Sequence, residues 1–107
     1  MAKLKLNPEP TFKAKVLVPV PGAAPAPVEF TFKYRTRSEL REYVQSLADL
    51  PENADEVQTF KAFVAGWDLD DPFTDENIAR LLDAYPGAGS ELSNTYLRES
   101  FGARRGN

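Results

Sequence analysis

Two stretches of alternating apolar and polar residues near the N-terminus constrain the fold most. The first runs from Phe12 to Val18 and the second from Val28 to Tyr34. Because successive side chains of a strand point to opposite faces, each stretch predicts a strand with one apolar face. Together they predict an antiparallel hairpin. A hairpin of two strands is only marginally stable in water, so helices must cover its apolar face.

The connection between these strands, residues 19–27, contains four prolines. Proline has no N–H to donate to a neighbouring strand, so the connection is predicted to stay unpaired. We expect a wide, stiff tip rather than a two-residue turn. Two interpretations of the tip stay open, a recognition arm and an exposed spacer.

Capping signals predict four helices after the hairpin. Thr36 and Glu39 have the spacing of a capping box, and Pro51 forbids continuation of this first helix. A second helix is predicted from Asn53 until Gly66. A third has Thr74 as its N-cap, acidic residues in its first turn, and a stop at Tyr85-Pro86-Gly87, and a fourth begins near Ser90.

The sequence therefore predicts an α+β fold, in which an N-terminal two-stranded antiparallel hairpin is followed by about four short helices packed as a small bundle. A chain of 107 residues is large enough for a single core but not for two. We expect a flexible lead at 1–10 and one domain at 11–101, with its hairpin at 11–35 and its helical part at 36–101. A frayed tail is expected at 102–107.

Composition excludes most catalytic and metal-binding templates. The chain has no cysteine and no histidine, so it lacks disulfides, thiolate metal sites and the commonest general base. We expect no cofactor and no enzymatic activity. The sequence also lacks an apolar run of the roughly 18 residues that a membrane helix needs, and its N-terminus lacks the apolar core of a secretion signal. These features predict a cytoplasmic protein without a membrane partner.

Two local patterns resemble ligand sites and fail on spacing. The acidic run from Asp68 to Glu76 suggests calcium, but the fifth and sixth positions of an EF-hand loop counted from Asp68 are Pro72 and Phe73. Gly87-Ala88-Gly89-Ser90 resembles part of a phosphate-binding loop, yet it follows a helix and lacks a Gly-Lys-Ser/Thr ending. Helix capping explains both patterns better.

Charge is distributed unevenly and does not favour nucleic acid. Residues 1–50 carry eight Lys/Arg against five Asp/Glu, whereas residues 51–107 carry five against eleven. The basic positions of the first half are interleaved with aromatics. A pI near 4.9 nevertheless argues against binding a phosphate backbone. The gradient could steer a partner or a second copy into register, although solvated faces are the simpler interpretation.

Apolar surface is the remaining functional feature. The chain has twelve aromatic side chains, and a domain of this size is predicted to leave some of them for an interface. The hypothesis is that five side chains rim the surface that meets a partner or a neighbouring copy: Trp67, Leu69, Phe73, Tyr85 and Tyr96.

A set of motifs gives the chain a family resemblance from about Phe12 to the C-terminus. The motifs, in order, are Val28–Arg37 (VEFTFKYRTR), Gly66–Leu69 (GWDL), Phe73–Asn77 (FTDEN), Tyr85–Ala88 (YPGA), and a final helix with Tyr96 before Arg104–Asn107 (RRGN). With these motifs the chain is similar to the tail assembly chaperones of long-tailed bacteriophages.

The resemblance implies a non-enzymatic protein of the infected or lysogenic host cytoplasm. Such a protein coats the tape measure protein, keeps it soluble, helps to deliver tail tube subunits, and is absent from the mature virion. Self-association follows from the need to cover a long helical partner. A small bacterial adaptor or regulatory domain, with the proline-rich tip as its recognition element, is the alternative from another class. A hydrolase that uses carboxylates alone is a third.

Overall fold

The computed structural model describes residues 4–102, which hold three strands and four helices. The predicted flexible lead and frayed tail extend into residues 1–3 and 103–107, which lie outside this range, as does the RRGN motif. The α+β class is confirmed. The elements in chain order are β1 (Thr11–Val20), β2 (Ala23–Lys33), α1 (Arg37–Ala48), α2 (Glu56–Lys61), β3 (Val64–Trp67), α3 (Asp75–Ala84) and α4 (Ala88–Phe101).

The sheet is antiparallel, with the strands in the order β1-β2-β3 and β2 in the centre. Phe12 pairs with Phe32 and Val16 with Val28, so the predicted alternation places these side chains on one face. That face is the inner one, since Phe32 and Val16 are almost completely buried. Leu17, on the opposite face, is 55% exposed.

The prediction of a wide, unpaired tip is wrong, because the strands continue to a tight turn at Pro21-Gly22. Gly22 has a φ of 78°, the left-handed conformation that a turn requires and glycine adopts most easily. Pro27, which lies opposite Leu17, does not prevent pairing, because its nitrogen faces away from β1. Pro27 lies two residues before Glu29 in β2, so their backbone nitrogens point to the same side of the strand. The backbone N–H and carbonyl of Glu29 both bond Asp68, which directly follows β3. The Pro27 nitrogen therefore faces β3 and not β1.

The predicted two-stranded sheet has a third strand. Residues 53–66 are predicted as one helix, but α2 begins after its N-cap Asp55 and ends at Lys61, and β3 follows at Val64–Trp67. Phe60, Phe63 and Val64 have helical spacing, which explains the wrong prediction. The edge of β2 that does not pair with β1 offers unpaired backbone groups. The backbone of Val64–Trp67 satisfies them, and this long-range pairing decides the structure.

Two predicted helix starts are confirmed in detail. The Thr36 hydroxyl accepts from the Glu39 backbone N–H, and the Glu39 carboxylate accepts from the Thr36 N–H, which completes the capping box of α1. The Thr74 hydroxyl accepts from the Asn77 N–H at the start of α3. The predicted stop of α3 is also confirmed, since Tyr85 is its C-cap.

The helices are dispersed over the inner face of the sheet, so the prediction of a small bundle is wrong. α4 packs on β1, while the shorter α2 lies against α3 and β3. The physical reason is the apolar sheet face, which is larger than one helix can cover. Thirteen buried apolar side chains from all seven elements or their junctions form one core: Val16, Val18, Phe30, Phe32, Leu40, Tyr43, Phe60, Phe63, Val64, Ile78, Ala88, Leu92 and Tyr96.

Candidate protein-binding grooves

The loop after β3 folds back over the indole ring of Trp67. The Trp67 Nε1–H donates to the backbone carbonyl of Asp71 at 2.8 Å. The Phe73 ring meets the indole edge to face, with centroids 5.0 Å apart, and Phe30 contacts it from the core side at 6.4 Å. The loop is therefore fixed by the aromatic side chain that precedes it.

Two acidic residues of the run from Asp68 to Glu76 have structural partners. Asp68 extends the strand pairing, because its carboxylate accepts from the Glu29 N–H at 3.1 Å. Asp75 pairs with Lys61 at 2.8 Å, which ties the start of α3 to the end of α2. Within residues 4–102 no group of three or more Asp and Glu side chains is arranged to hold a metal ion.

An open groove of about 390 Å³ lies between the hairpin, this loop and α3. We call it the Trp67 groove. The strands contribute valine side chains, the loop contributes Trp67 and Leu69, and α3 and its C-cap contribute Leu81 and Tyr85. Arg80 and Asp71 supply its charged atoms. The groove is mainly apolar and has no buried catalytic group among its described residues, so it is suited to packing rather than to chemistry.

The structure brings together four of the five side chains predicted to rim a binding surface. Trp67, Leu69 and Tyr85 line the Trp67 groove, and Phe73 packs behind the indole. Tyr96 does not join them. It is fully buried in the core, where its ring lies 5.3 Å from that of Phe63. The role of all five in partner binding stays a prediction.

Most aromatic side chains are at least partly buried within the domain. Of the twelve aromatic side chains, all within the described residues, only Tyr34 and Phe101 are exposed, at 45% and 53%. The third strand and the dispersed helices give this small domain more inner surface than a hairpin with a bundle would. The number of aromatic side chains alone therefore does not identify an interface.

A cluster around Arg35 was not predicted from the sequence. Its guanidinium donates to the Tyr96 hydroxyl at 2.9 Å and to the Ala62 carbonyl at 2.7 Å, and it lies 4.2 Å from the Tyr43 ring centre. The Tyr96 hydroxyl in turn donates to the Lys33 carbonyl at 2.8 Å. One cation thus joins the end of β2 to α1, α4 and the turn after α2.

The Tyr43 hydroxyl is the polar atom of this cluster that stays unsatisfied. The side chain is only 7% exposed, and its oxygen has no hydrogen-bond partner within residues 4–102. Burial raises the pKa of Tyr43 from 10.0 to about 12, against the opposing influence of the nearby Arg35 charge. A buried hydroxyl without a partner costs free energy that a phenyl ring would not.

We expect Tyr43→Phe to stabilise the protein by about 1 kcal/mol at pH 7, since it removes an unsatisfied buried group. The difference should grow at alkaline pH. Between the ordinary pKa of 10.0 and the raised pKa of about 12, the unfolded chain loses its Tyr43 proton before the folded chain does. Over this pH range the free energy of unfolding of the wild type therefore falls by a further amount of up to about 2–3 kcal/mol, whereas that of Tyr43→Phe does not fall for this reason. Urea unfolding at several pH values measures both effects.

Tyr34→Phe is the matched control, because the Tyr34 side chain is 45% exposed. It should change the free energy of unfolding by no more than about 0.5 kcal/mol at pH 7, and it should keep the alkaline loss because Tyr43 is intact. A destabilised Tyr43→Phe variant would show that the hydroxyl has a partner in solution.

The geometry describes a small α+β domain with an apolar surface groove, and none of the helices in the described part of the chain is long and apolar enough to cross a membrane. Comparison with protein families identifies it further. The family model described as phage tail assembly chaperone matches residues 1–107, the whole chain, and the chain therefore belongs to that family. Comparisons with curated proteins and with solved structures give no significant match.

Proposed function

We propose that this chain binds the tape measure protein of its phage, keeps that protein soluble, and helps to recruit tail tube subunits, without catalysing a reaction. Membership of the tail assembly chaperone family supports a role in binding tail proteins. The single structural observation that carries the proposal is the Trp67 groove, which presents half-buried apolar side chains on the surface of the domain.

The shape and chemistry of the Trp67 groove suit an amphipathic helix. Such helices place apolar side chains at i, i+3, i+4 and i+7 into a groove of this kind. The walls contributed by Leu69, Leu81 and Tyr85 can receive them, while Arg80 and Asp71 can pair with polar residues beside the stripe. A volume of about 390 Å³ holds only a few side chains, so each copy would bind weakly and reversibly.

Weak single contacts imply that several copies act along one partner. Binding many grooves to one long chain raises the overall affinity without any tight individual contact, and allows release in steps. Under this proposal the protein self-associates on its partner, works in the host cytoplasm and is left out of the finished virion.

The proposal is tested by co-expressing the chain with the tape measure protein. Leu69→Ser combined with Tyr85→Ser should weaken binding by about tenfold or more, because truncating interface anchors typically costs over about 1 kcal/mol each. The soluble fraction of the tape measure protein should fall accordingly. Co-purification with added tail tube protein measures the recruiting role separately.

Leu17→Ser is the control, since Leu17 is 55% exposed on the outer face of the sheet and does not line the groove. It should solubilise the tape measure protein as well as the wild type does. Circular dichroism of each variant checks the fold. If the folded Leu69→Ser/Tyr85→Ser variant keeps full solubilising activity, the Trp67 groove is not the binding surface.

A further inference from the structure

A second groove of about 400 Å³ lies on the other side of α3. We call it the Glu52 groove. It is formed by α1, the loop from α1 to α2, α2 itself and the start of α4. Leu82 and Pro86 line it, whereas Leu81 and Tyr85 line the Trp67 groove, so α3 separates the two. They share no lining residue.

The Glu52 groove combines apolar walls with acidic charge. Leu47, Leu50 and Phe60 provide apolar surface, and Leu50 is 45% exposed despite its size. Glu52 and Glu56, both exposed, are its charged residues, and no lysine or arginine lines it. The complementary ligand is apolar on one side and basic beside it.

Tyr43 also lines the Glu52 groove. Its hydroxyl is buried, so a ligand in the groove meets the ring and not the hydroxyl.

The walls also limit the conformation of the ligand. All lining residues lie in helices or loops, and none lies in a strand. An extended peptide gains its affinity by pairing with a free strand edge, which is lacking here. A helix in a groove needs only side-chain contacts, because its backbone hydrogen bonds are internal.

We propose that the Glu52 groove is a second docking surface, which binds an amphipathic helix carrying lysine or arginine beside its apolar stripe. This inference goes beyond the proposed function, which rests on the Trp67 groove alone. Two grooves on opposite sides of α3 would let one copy hold two partners at once, as recruiting one tail protein to another requires.

Two synthetic helical peptides of about 18 residues, five turns of helix, probe the groove. Both have leucines at i, i+3, i+4 and i+7. One carries lysine at the flanking positions, and the other carries glutamate. Fluorescence anisotropy with the full chain measures binding. The lysine peptide should bind, and the glutamate peptide should bind at least about tenfold more weakly, as charge complementarity requires.

Charge variants test whether the lysine peptide binds in the Glu52 groove. Glu52→Lys combined with Glu56→Lys should weaken binding of the lysine peptide by about tenfold or more. Glu9→Lys with Asp70→Lys is the matched control, because it changes the net charge equally at two exposed positions outside the groove. It should bind the peptide nearly as well as the wild type. Equal losses in the two variants would mean attraction to net charge alone, which overturns the proposal.

Substitutions of apolar residues distinguish binding in the Glu52 groove from binding in the Trp67 groove. Leu50→Ser should lose about tenfold in peptide affinity, whereas Leu17→Ser, also an exposed leucine, should lose none. Leu69→Ser/Tyr85→Ser should bind the lysine peptide normally, whether or not it solubilises the tape measure protein. Failure of the lysine peptide to bind, or loss of its binding only in the Leu69→Ser/Tyr85→Ser variant, overturns the proposal.

Discussion

Replacing Phe32 with alanine is expected to lower the free energy of unfolding by about 3–5 kcal/mol, the usual loss for a fully buried aromatic. Phe32 is 0% exposed and lies on the central strand. Its ring centre is 5.5 Å from Phe12, 5.6 Å from Tyr96 and 6.2 Å from Phe63, so one truncation removes contacts with β1, α4 and the turn before β3. Urea unfolding followed by circular dichroism measures the change.

The control is Leu17→Ala, which removes an apolar side chain from the open face of the neighbouring strand. Since Leu17 is 55% exposed, its loss should be no more than about 1 kcal/mol. A domain of this size has a total stability of about 5–15 kcal/mol, so Phe32→Ala removes a large share of it and is measured at 25 °C or below. Similar losses in the two variants would contradict the placement of the apolar face.

The elements that the sequence predicts well are those with local causes. The capping box of α1 and the cap of α3 are made by residues three apart, and both are present. The alternation in β1 and β2 likewise places Val16 and Phe30 on the buried face. Each of these features depends on side chains and backbone within one turn or one strand, so a sequence window contains all the information.

The predictions that are wrong concern pairing between segments that are distant in the sequence. β3 forms because Val64–Trp67 meets the free edge of β2, more than 30 residues earlier in the chain. The helical spacing of Phe60, Phe63 and Val64 is a real pattern, but it arises because a helix and a strand both face the same core. The tip prediction failed for a related reason, since the direction in which Pro27 faces depends on the register with β1.

The candidate site was partly predictable. The sequence singles out Trp67, Leu69 and Tyr85, and the structure places them in one groove. The Glu52 groove was not predicted, because its walls come from four separate elements whose packing the sequence does not specify. In the sequence, Arg35 is one of several basic residues. A half-buried cation has no local signature, since its partners Ala62 and Tyr96 lie 27 and 61 residues away.

The second large effect is expected at Arg35. Arg35→Met should lower the free energy of unfolding by about 2–3 kcal/mol, because it removes charge-assisted hydrogen bonds and leaves the Ala62 carbonyl without its donor. Arg35→Lys should recover less than half of this loss. A lysine ammonium is a single donor group on a flexible stem, and cannot bridge the Tyr96 hydroxyl and the Ala62 carbonyl while stacking on Tyr43. Arg41→Met, at an exposed position of α1, should cost no more than about 0.5 kcal/mol.

A double-mutant cycle shows whether the loss comes from the observed contacts. Tyr96→Phe removes the hydroxyl that Arg35 donates to, so its cost should be smaller in the Arg35→Met background than in the wild type. We expect a coupling energy of about 1 kcal/mol between the two positions. Coupling close to zero, with both single variants destabilised, would mean that the guanidinium stabilises the fold through the Ala62 carbonyl and its stacking on Tyr43, and not through the Tyr96 hydroxyl.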